Sequence, residues 1–182
     1  HTDLSFLADK KKESHLFLDF DKDLNLNNFE KTNISFKLQQ TSNDTYIKAN
    51  KVTSPIINNY DVLENSLRLK MSSENTSIFS ELIVFENLNK ESNDKYEYIL
   101  PRFEIVKNIE NKTNLNGNFK IKSNNFIHNY NTNIFERINT NDLIFNSLPR
   151  INKNGFVSNY EFIIKNSNTF SKKSKINKEQ ND

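Results

Sequence analysis

The sequence predicts an all-β protein, built as an antiparallel up-and-down meander of consecutive hairpins. Apolar and polar side chains alternate with a period of two over stretches of about ten residues, which places one residue type on each face of a strand. Such stretches recur about every twenty residues, and short Asn-rich segments separate them. No helical pattern lies between them, so the chain forms either a sandwich or a membrane barrel.

Ten strands are predicted in order along the chain. The alternation is clearest in three groups of apolar residues, namely Ile34, Phe36 and Leu38, then Leu67, Leu69 and Met71, then Phe119 and Ile121. The predicted strands are residues 13–21, 31–41, 44–53, 62–72, 77–86, 94–107, 117–123, 125–138, 142–148 and 155–167. Asn, Asp and Ser must form most turns because the chain has only 2 Gly and 3 Pro. Gly117 and Gly155 open strands, and Pro101 predicts a bulge or a strand switch.

Composition limits the possible classes of protein. We interpret residues 1–170 as one segment of a β-barrel and residues 171–182 as a polar loop or frayed tail. The net charge of +2 comes from interspersed charges, which argues against a nucleic-acid partner. The chain has no Cys and no apolar run of about 18 residues, and we do not expect its first residues to be a signal peptide. Because it begins with His1, we expect a mature product or an internal fragment.

One acidic stretch has the spacing of a calcium-binding loop. It comprises Asp19, Asp21, Asp23, Asn25, Asn27 and Glu30. Leu24 occupies the position where that loop needs Gly, and the flanking residues alternate as strands do. The preferred interpretation is carboxylates on one face of a strand that runs into a turn, so no metal site is predicted.

No catalytic residue or cofactor is predicted either. His15 and His128 lack a second ligand at metal spacing and are interpreted as residues of a polar face or an interface. Two carboxylate pairs, Glu97 with Glu104 and Glu136 with Glu161, could be imagined as acid and base. Ordinary cross-strand charge pairing explains both, because nothing in the sequence places either pair in a cleft. The sequence therefore gives no indication of an enzyme.

Aromatic residues and strand length bear on the choice between barrel and sandwich. Five tyrosines lie near strand ends or turns, either as a girdle at a lipid–water boundary or as sandwich core, namely Tyr46, Tyr96, Tyr98, Tyr130 and Tyr160. Ten residues at about 3.3 Å each and about 45° tilt span about 23 Å, close to the apolar band of an outer-membrane barrel. Strand length therefore favours the barrel.

Two phrases carry a resemblance to a known family. They are Ser42–Lys48 and Ser92–Pro101, and their distinctive positions are Asn43, Asp44, Tyr46, Asp94, Tyr96, Tyr98 and Pro101. These phrases resemble the middle of the barrel of LptD, the lipopolysaccharide-assembly outer-membrane protein family, also called organic solvent tolerance proteins. The resemblance is to an alphaproteobacterial member and covers most of residues 14–167. The seven positions are expected to mark turns and strand register rather than to contact a ligand.

The resemblance implies location, partners and function. Proteins of this family form a very large barrel in the bacterial outer membrane around a plug lipoprotein of the LptE type. They receive lipopolysaccharide from a periplasmic β-jellyroll bridge protein and release it into the outer leaflet, without catalysis. This chain lacks the jellyroll domain and the family cysteines, and about ten strands are too few to close so large a barrel. We therefore expect an internal barrel fragment. The alternatives are a secreted or surface β-sandwich binding module and a porin- or receptor-type barrel.

Overall fold

The computed structural model describes residues 1–7, 13–91, 94–110, 116–130 and 133–173. The strands, in chain order, are β1 (Thr2–Leu7), β2 (Glu13–Leu24), β3 (Lys31–Thr41), β4 (Val62–Ser72), β5 (Thr76–Asn87), β6 (Tyr96–Ile109), β7 (Gly117–Tyr130), β8 (Ile134–Ser147), β9 (Arg150–Ile151), β10 (Val157–Ser158) and β11 (Glu161–Lys172). One four-residue helix, α1 (Tyr46–Ala49), lies between β3 and β4. Among the described residues, no helix has the length and apolar character needed to cross a membrane.

Nine strands form a single antiparallel sheet in the order β1-β2-β3-β4-β5-β6-β7-β8-β11. Strands β9 and β10 form a separate small hairpin within the connection from β8 to β11. The predicted all-β antiparallel meander is therefore confirmed. We call the end of the sheet that carries α1 the helix end, and the end that carries the β9–β10 hairpin the hairpin end.

The predicted strand over residues 44–53 is wrong. The chain makes a turn at residues 42–45, in which Asn43 Oδ1 accepts hydrogen bonds from the Thr45 backbone N–H at 3.2 Å and from Thr45 Oγ1 at 3.1 Å. Helix α1 follows, and the consecutive residues Tyr46 and Ile47 are both buried. A strand would turn these neighbours to opposite faces, whereas a helical turn lets both enter one cluster.

Three other predicted strands have wrong boundaries. Residues 117–123, 125–138 and 142–148 form only two strands, β7 and β8. The polar residues 123–125 continue β7 because they pair in register with β8, for example Asn125 with Asn139. The chain reverses next to Asn133, whose φ of 66° uses the left-handed region that Asn tolerates.

The two ends of the described chain also differ from expectation. Strand β1 was not predicted, and the predicted strand 155–167 is interrupted between β10 and β11. Gly155 lies in the β9–β10 turn with φ of 81°. Strand β11 continues to Lys172, and residues 174–182, where most of the predicted tail falls, lie outside the described residues.

The irregularity predicted at Pro101 is confirmed. The register between β5 and β6 shifts between Glu81 and Ile83, and that between β6 and β7 shifts between Ile99 and Arg102. Strand β6 is thus one continuous element with a bulge at Pro101, because proline has no N–H to contribute to either ladder.

Candidate functional site

Strand register assigns the side chains of the sheet to two faces. One in-register row of neighbours connects Ile34, Leu69, Ser80 and Phe103 across β3 to β6. The adjacent row, one residue away along each strand, connects Ser35, Arg68, Glu81 and Arg102. Because successive residues of a strand point to opposite faces, every other residue from these rows belongs to the same face.

The apolar face contains a continuous band of aliphatic and aromatic side chains, which we call the apolar band. Its members are Leu16, Leu18, Phe20, Ile34, Phe36, Leu38, Leu67, Leu69, Met71, Ile78, Leu82, Phe103, Ile105, Phe119, Ile121, Leu143, Phe145, Phe162 and Ile164. Many of these large side chains are exposed, including Phe20, Leu67 and Ile121. The structure leaves this band without a covering layer among the described residues.

The opposite face, which we call the charged face, carries a connected ion-pair network on β4, β5 and β6. Arg68 donates through Nη2 to Glu64 Oε1 at 2.6 Å, through Nε to Glu81 Oε2 at 3.2 Å and through Nη1 to Ser66 Oγ at 2.9 Å. Arg102 donates to the other oxygen of Glu81 at 3.3 Å. Glu81 is buried, so two guanidinium groups balance a carboxylate that water hardly reaches.

A second polar cluster lies on the charged face at the helix end of β6, β7 and β8. The distance from His128 Nε2 to Glu97 Oε1 is 2.8 Å, and that from His128 Nδ1 to Glu136 Oε2 is 4.0 Å. Tyr130 stacks on the His128 ring and donates its hydroxyl to Glu136 Oε1 at 3.1 Å. The structure thus places this histidine on a polar face between two carboxylates.

Residues 42–61, which we call the covering segment, fold back over the helix end of the sheet. Gln39 donates through Nε2 to the Ile56 carbonyl at 2.8 Å, and His15 Nδ1 lies 3.1 Å from the Tyr46 hydroxyl. The segment forms the buried core cluster with two fully buried sheet residues, Phe17 and Leu63, and with Leu88, which directly follows β5. This packing fixes the segment against β2 and β4.

The two phrases that carry the family resemblance meet at the covering segment. Lys95 Nζ lies 2.7 Å from Asp44 Oδ1 and 2.8 Å from Glu86 Oε1. The hydrogen bond to Asp44, followed by that to Glu86, holds the pKa of Lys95 well above its ordinary value. An ion pair therefore joins the start of the covering segment to the chain just before β6.

Other positions of the two phrases have separate local roles. Asn43 caps the turn before α1, and Tyr46 is buried in the core rather than placed in a surface girdle. Tyr96 donates its hydroxyl to Glu86 at 3.3 Å and stacks against Tyr98 near the start of β6.

The remaining residues of the two phrases, and the other predicted tyrosines, lie at turns, strand ends or the bulge. Asp94 lies in the turn just before β6, and Pro101 lies at the bulge. Tyr130 ends β7 and Tyr160 directly precedes β11, so four of the five tyrosines lie near strand ends and Tyr46 does not.

The carboxylates considered in the sequence are distributed as ordinary strand residues. Asp19, Asp21 and Asp23 share the charged face of β2, and Asn33 Nδ2 donates to Asp21 at 2.9 Å and to Asp23 at 3.0 Å. Glu161 pairs in register with Asn146, ten residues along β8 from Glu136. Among the described residues, no group of three His, Asp or Glu side chains is arranged to hold a metal ion.

Sequence reasoning missed two sets of polar contacts, those of Lys95 and those of His128. Lys95 and Glu86 lie next to phrase residues, but their pairing with Asp44 depends on the path of the covering segment. The Glu97–His128–Glu136 contacts follow from the register of β6, β7 and β8. The only sequence signal was the shared parity of charged residues on consecutive strands.

Comparisons with protein-family models, with curated proteins and with solved structures found no match to this chain. The resemblance to the LptD family therefore rests on the two quoted phrases and on the strand pattern.

Proposed function

We propose that the chain is a segment of a bacterial outer-membrane β-barrel that takes part in lipopolysaccharide transport into the outer leaflet, without catalysis. The observation that carries this proposal is the division of one antiparallel sheet into an exposed apolar face and an ion-paired face. Lipid chains would cover the first face, and water and cargo would contact the second.

The difference in exposure between the two faces supports a sheet that curves towards its charged face. Ser66 and Glu81 are 5% and 6% exposed, although both are polar. Leu67 and Leu82, their neighbours on the same strands, are 40% and 39% exposed. Side chains crowd together on the concave side of a curved sheet and spread apart on its convex side. A barrel has this curvature, with its polar side chains inside.

A β-sandwich fits these observations less well. Its apolar face would pack against a second sheet about 10 Å away. The other sheet in the described part of the chain is the β9–β10 hairpin, which has two residues in each strand. That hairpin is too small to cover a band that extends from β2 to β11.

The lipopolysaccharide assignment rests on the family resemblance and on the chemistry of the charged face. Lys120, Lys122 and Arg102 lie on that face and supply cations suited to a phosphorylated glycolipid. By the same resemblance, the proposed partners are a plug lipoprotein of the LptE type and the β-jellyroll bridge protein. A porin- or receptor-type barrel would use the same apolar face but would carry a different cargo.

Photo-cross-linking on two neighbouring residues of β7 tests this proposal. The chain is reconstituted in phosphatidylcholine vesicles with a photoreactive side chain in place of either Ile121 or Lys122. We expect position 121 to capture phosphatidylcholine and position 122 to capture lipopolysaccharide once it is supplied. Phosphatidylcholine capture at 121 without lipopolysaccharide capture at 122 would indicate a channel-type barrel. Equal lipid capture at both positions would refute the membrane role.

A further inference from the structure

The apolar band does not run at right angles to the strands. One in-register row of the apolar face begins at Lys22 on β2, passes through Leu69 and Phe103, and ends at Asn168 on β11. The row has Lys22 at one end and three asparagines at the other, and its middle holds Ile34, Leu69 and Phe103 with one small polar residue, Ser80. If the membrane plane were parallel to this row, Lys22 and Asn168 would therefore both lie among acyl chains.

The band shifts in opposite directions at the two sides of the sheet. On β2 it is centred on Leu18, four residues from Lys22 towards the helix end. On β11 it contains Phe162 and Ile164, which lie about five residues from Asn168 towards the hairpin end. Relative to the in-register row, the band is therefore displaced along the strands by about nine residues between β2 and β11, which are seven strand-to-strand steps apart.

This displacement defines a strand tilt. Nine residues correspond to about 30 Å along the strands, and seven steps correspond to about 34 Å across them. If the band is level in a bilayer, the strands are tilted by about 40° from the membrane normal, within the 35–45° typical of outer-membrane barrels. The sequence pattern and the register thus give this angle without any assumption about barrel closure.

We propose that this oblique band is the surface that contacts acyl chains, and that the polar side chains on either side of it on the same face lie towards the head groups of opposite leaflets. This inference rests on the proposed membrane function. On β2 the polar side chain is Lys22, which lies on the hairpin side of the band. On β7, β8 and β11 the polar side chains form a patch on the helix side of the band, which we call the asparagine patch, composed of Ser123, Asn125, Asn139, Asn141, Asn166 and Asn168. Phe135 and Phe170 follow this patch at the helix end of the same face.

The side chains of the asparagine patch support its placement towards the head groups. Ser123 Oγ donates to Asn141 Oδ1 at 2.7 Å, and Asn141 Nδ2 donates to Asn139 Oδ1 at 2.6 Å. Asn168 donates to Asn166 at 2.9 Å. Asn141, Asn166 and Asn168 are exposed, so water or head groups can satisfy the donors and acceptors that these contacts leave open, and acyl chains cannot.

Single-cysteine labelling of the full chain tests the oblique course of the band, and the absence of native Cys makes every label unique. Leu18, Ile164, Lys22, Leu69 and Asn168 are each replaced by Cys and labelled with bimane. The proteins are reconstituted in phosphatidylcholine vesicles with nitroxide-labelled phosphatidylcholine as the lipid quencher. We expect most of the emission to be lost at positions 18, 69 and 164, whereas positions 22 and 168 are quenched instead by iodide that is present both inside and outside the vesicles.

The possible results separate the inference from the function on which it rests. Equal lipid quenching at 22, 69 and 168 would mean that the band follows the in-register row; the oblique placement would be wrong and the membrane role would stand. Lack of lipid quenching at 18, 69 and 164 would refute the membrane role itself. Protection of position 168 from both quenchers would show that a second copy of the chain covers the asparagine patch, which overturns its aqueous placement.

Discussion

The ion pair between Lys95 and Asp44 gives a sharp test of how the covering segment is held. Lys95→Met keeps most of the alkyl stem but removes the ammonium group, which lies 2.7 Å from Asp44 and 2.8 Å from Glu86. The Lys95 and Glu86 side chains are each 19% exposed, whereas Asp44 is 45% exposed. The contact with Asp44 is therefore worth about 0.5–1 kcal/mol, and that with the less exposed Glu86 about 1.5 kcal/mol.

The expected cost of Lys95→Met is thus about 2 kcal/mol, which corresponds to about a 30-fold increase in the open population of the covering segment. Trypsin cleavage after Lys48 and Lys51, two residues of that segment, measures this opening when reclosure is faster than cleavage. Lys31→Met, at the hairpin end, is the matched control and should leave the cleavage rate unchanged. A rate at Lys48 within about twofold of the unsubstituted protein would refute the reasoning.

The pH dependence of this effect follows from the raised pKa of Lys95. A lysine whose pKa is raised in the folded state stabilises that state fully below its unfolded pKa. This contribution is lost as the pH rises through the folded pKa. We therefore expect the difference between Lys95→Met and the unsubstituted protein to be constant between neutral pH and the ordinary lysine value of 10.5 and to shrink only above it.

Three further substitutions test the packing, each by urea unfolding in detergent or vesicles. Leu63→Ala removes a fully buried core side chain and should cost about 2–5 kcal/mol; a cost below about 1 kcal/mol would contradict the assigned core. Gly117→Ala should cost about 1–3 kcal/mol because the added Cβ would overlap the Asn146 carbonyl oxygen and the Phe145 ring. Arg68→Met should cost about 3 kcal/mol, and Glu81→Gln in the same chain should recover part of it, because the buried carboxylate then loses its charge. Failure of that rescue would mean that Arg68 acts through packing alone.

Alternation predicts strands well where both faces have a consistent chemistry. Strands β3 and β4 occupy the predicted residues 31–41 and 62–72. In each, apolar residues of one parity belong to the apolar band, and polar residues of the other parity join the charged face. Local pattern and tertiary environment agree there, so the pattern alone is sufficient.

The covering segment shows where local pattern is insufficient. Tyr46 and Ile47 favour strands by intrinsic propensity, yet both enter one buried cluster with Phe17, a residue about thirty positions earlier. Burial of these side chains outweighs a propensity difference of about 1 kcal/mol at most. The ion pair of Asp44 with Lys95 has the same origin, because a contact across some fifty residues depends on the folded path of the chain.

The oblique band explains why alternation fails at particular strand positions. Lys22 on β2 and Asn168 on β11 lie on the apolar face, where a rule of strict alternation predicts apolar residues. Each strand of a tilted sheet crosses the bilayer at a different point along its length, so each has its own polar ends on that face. Ser123 and Asn125, on either side of the strand break predicted at residue 124, are such a polar section of β7, beyond the band at Phe119 and Ile121. The hydrophobic pattern of one strand therefore shows how deep its residues lie in the membrane only when the register with the neighbouring strands is known.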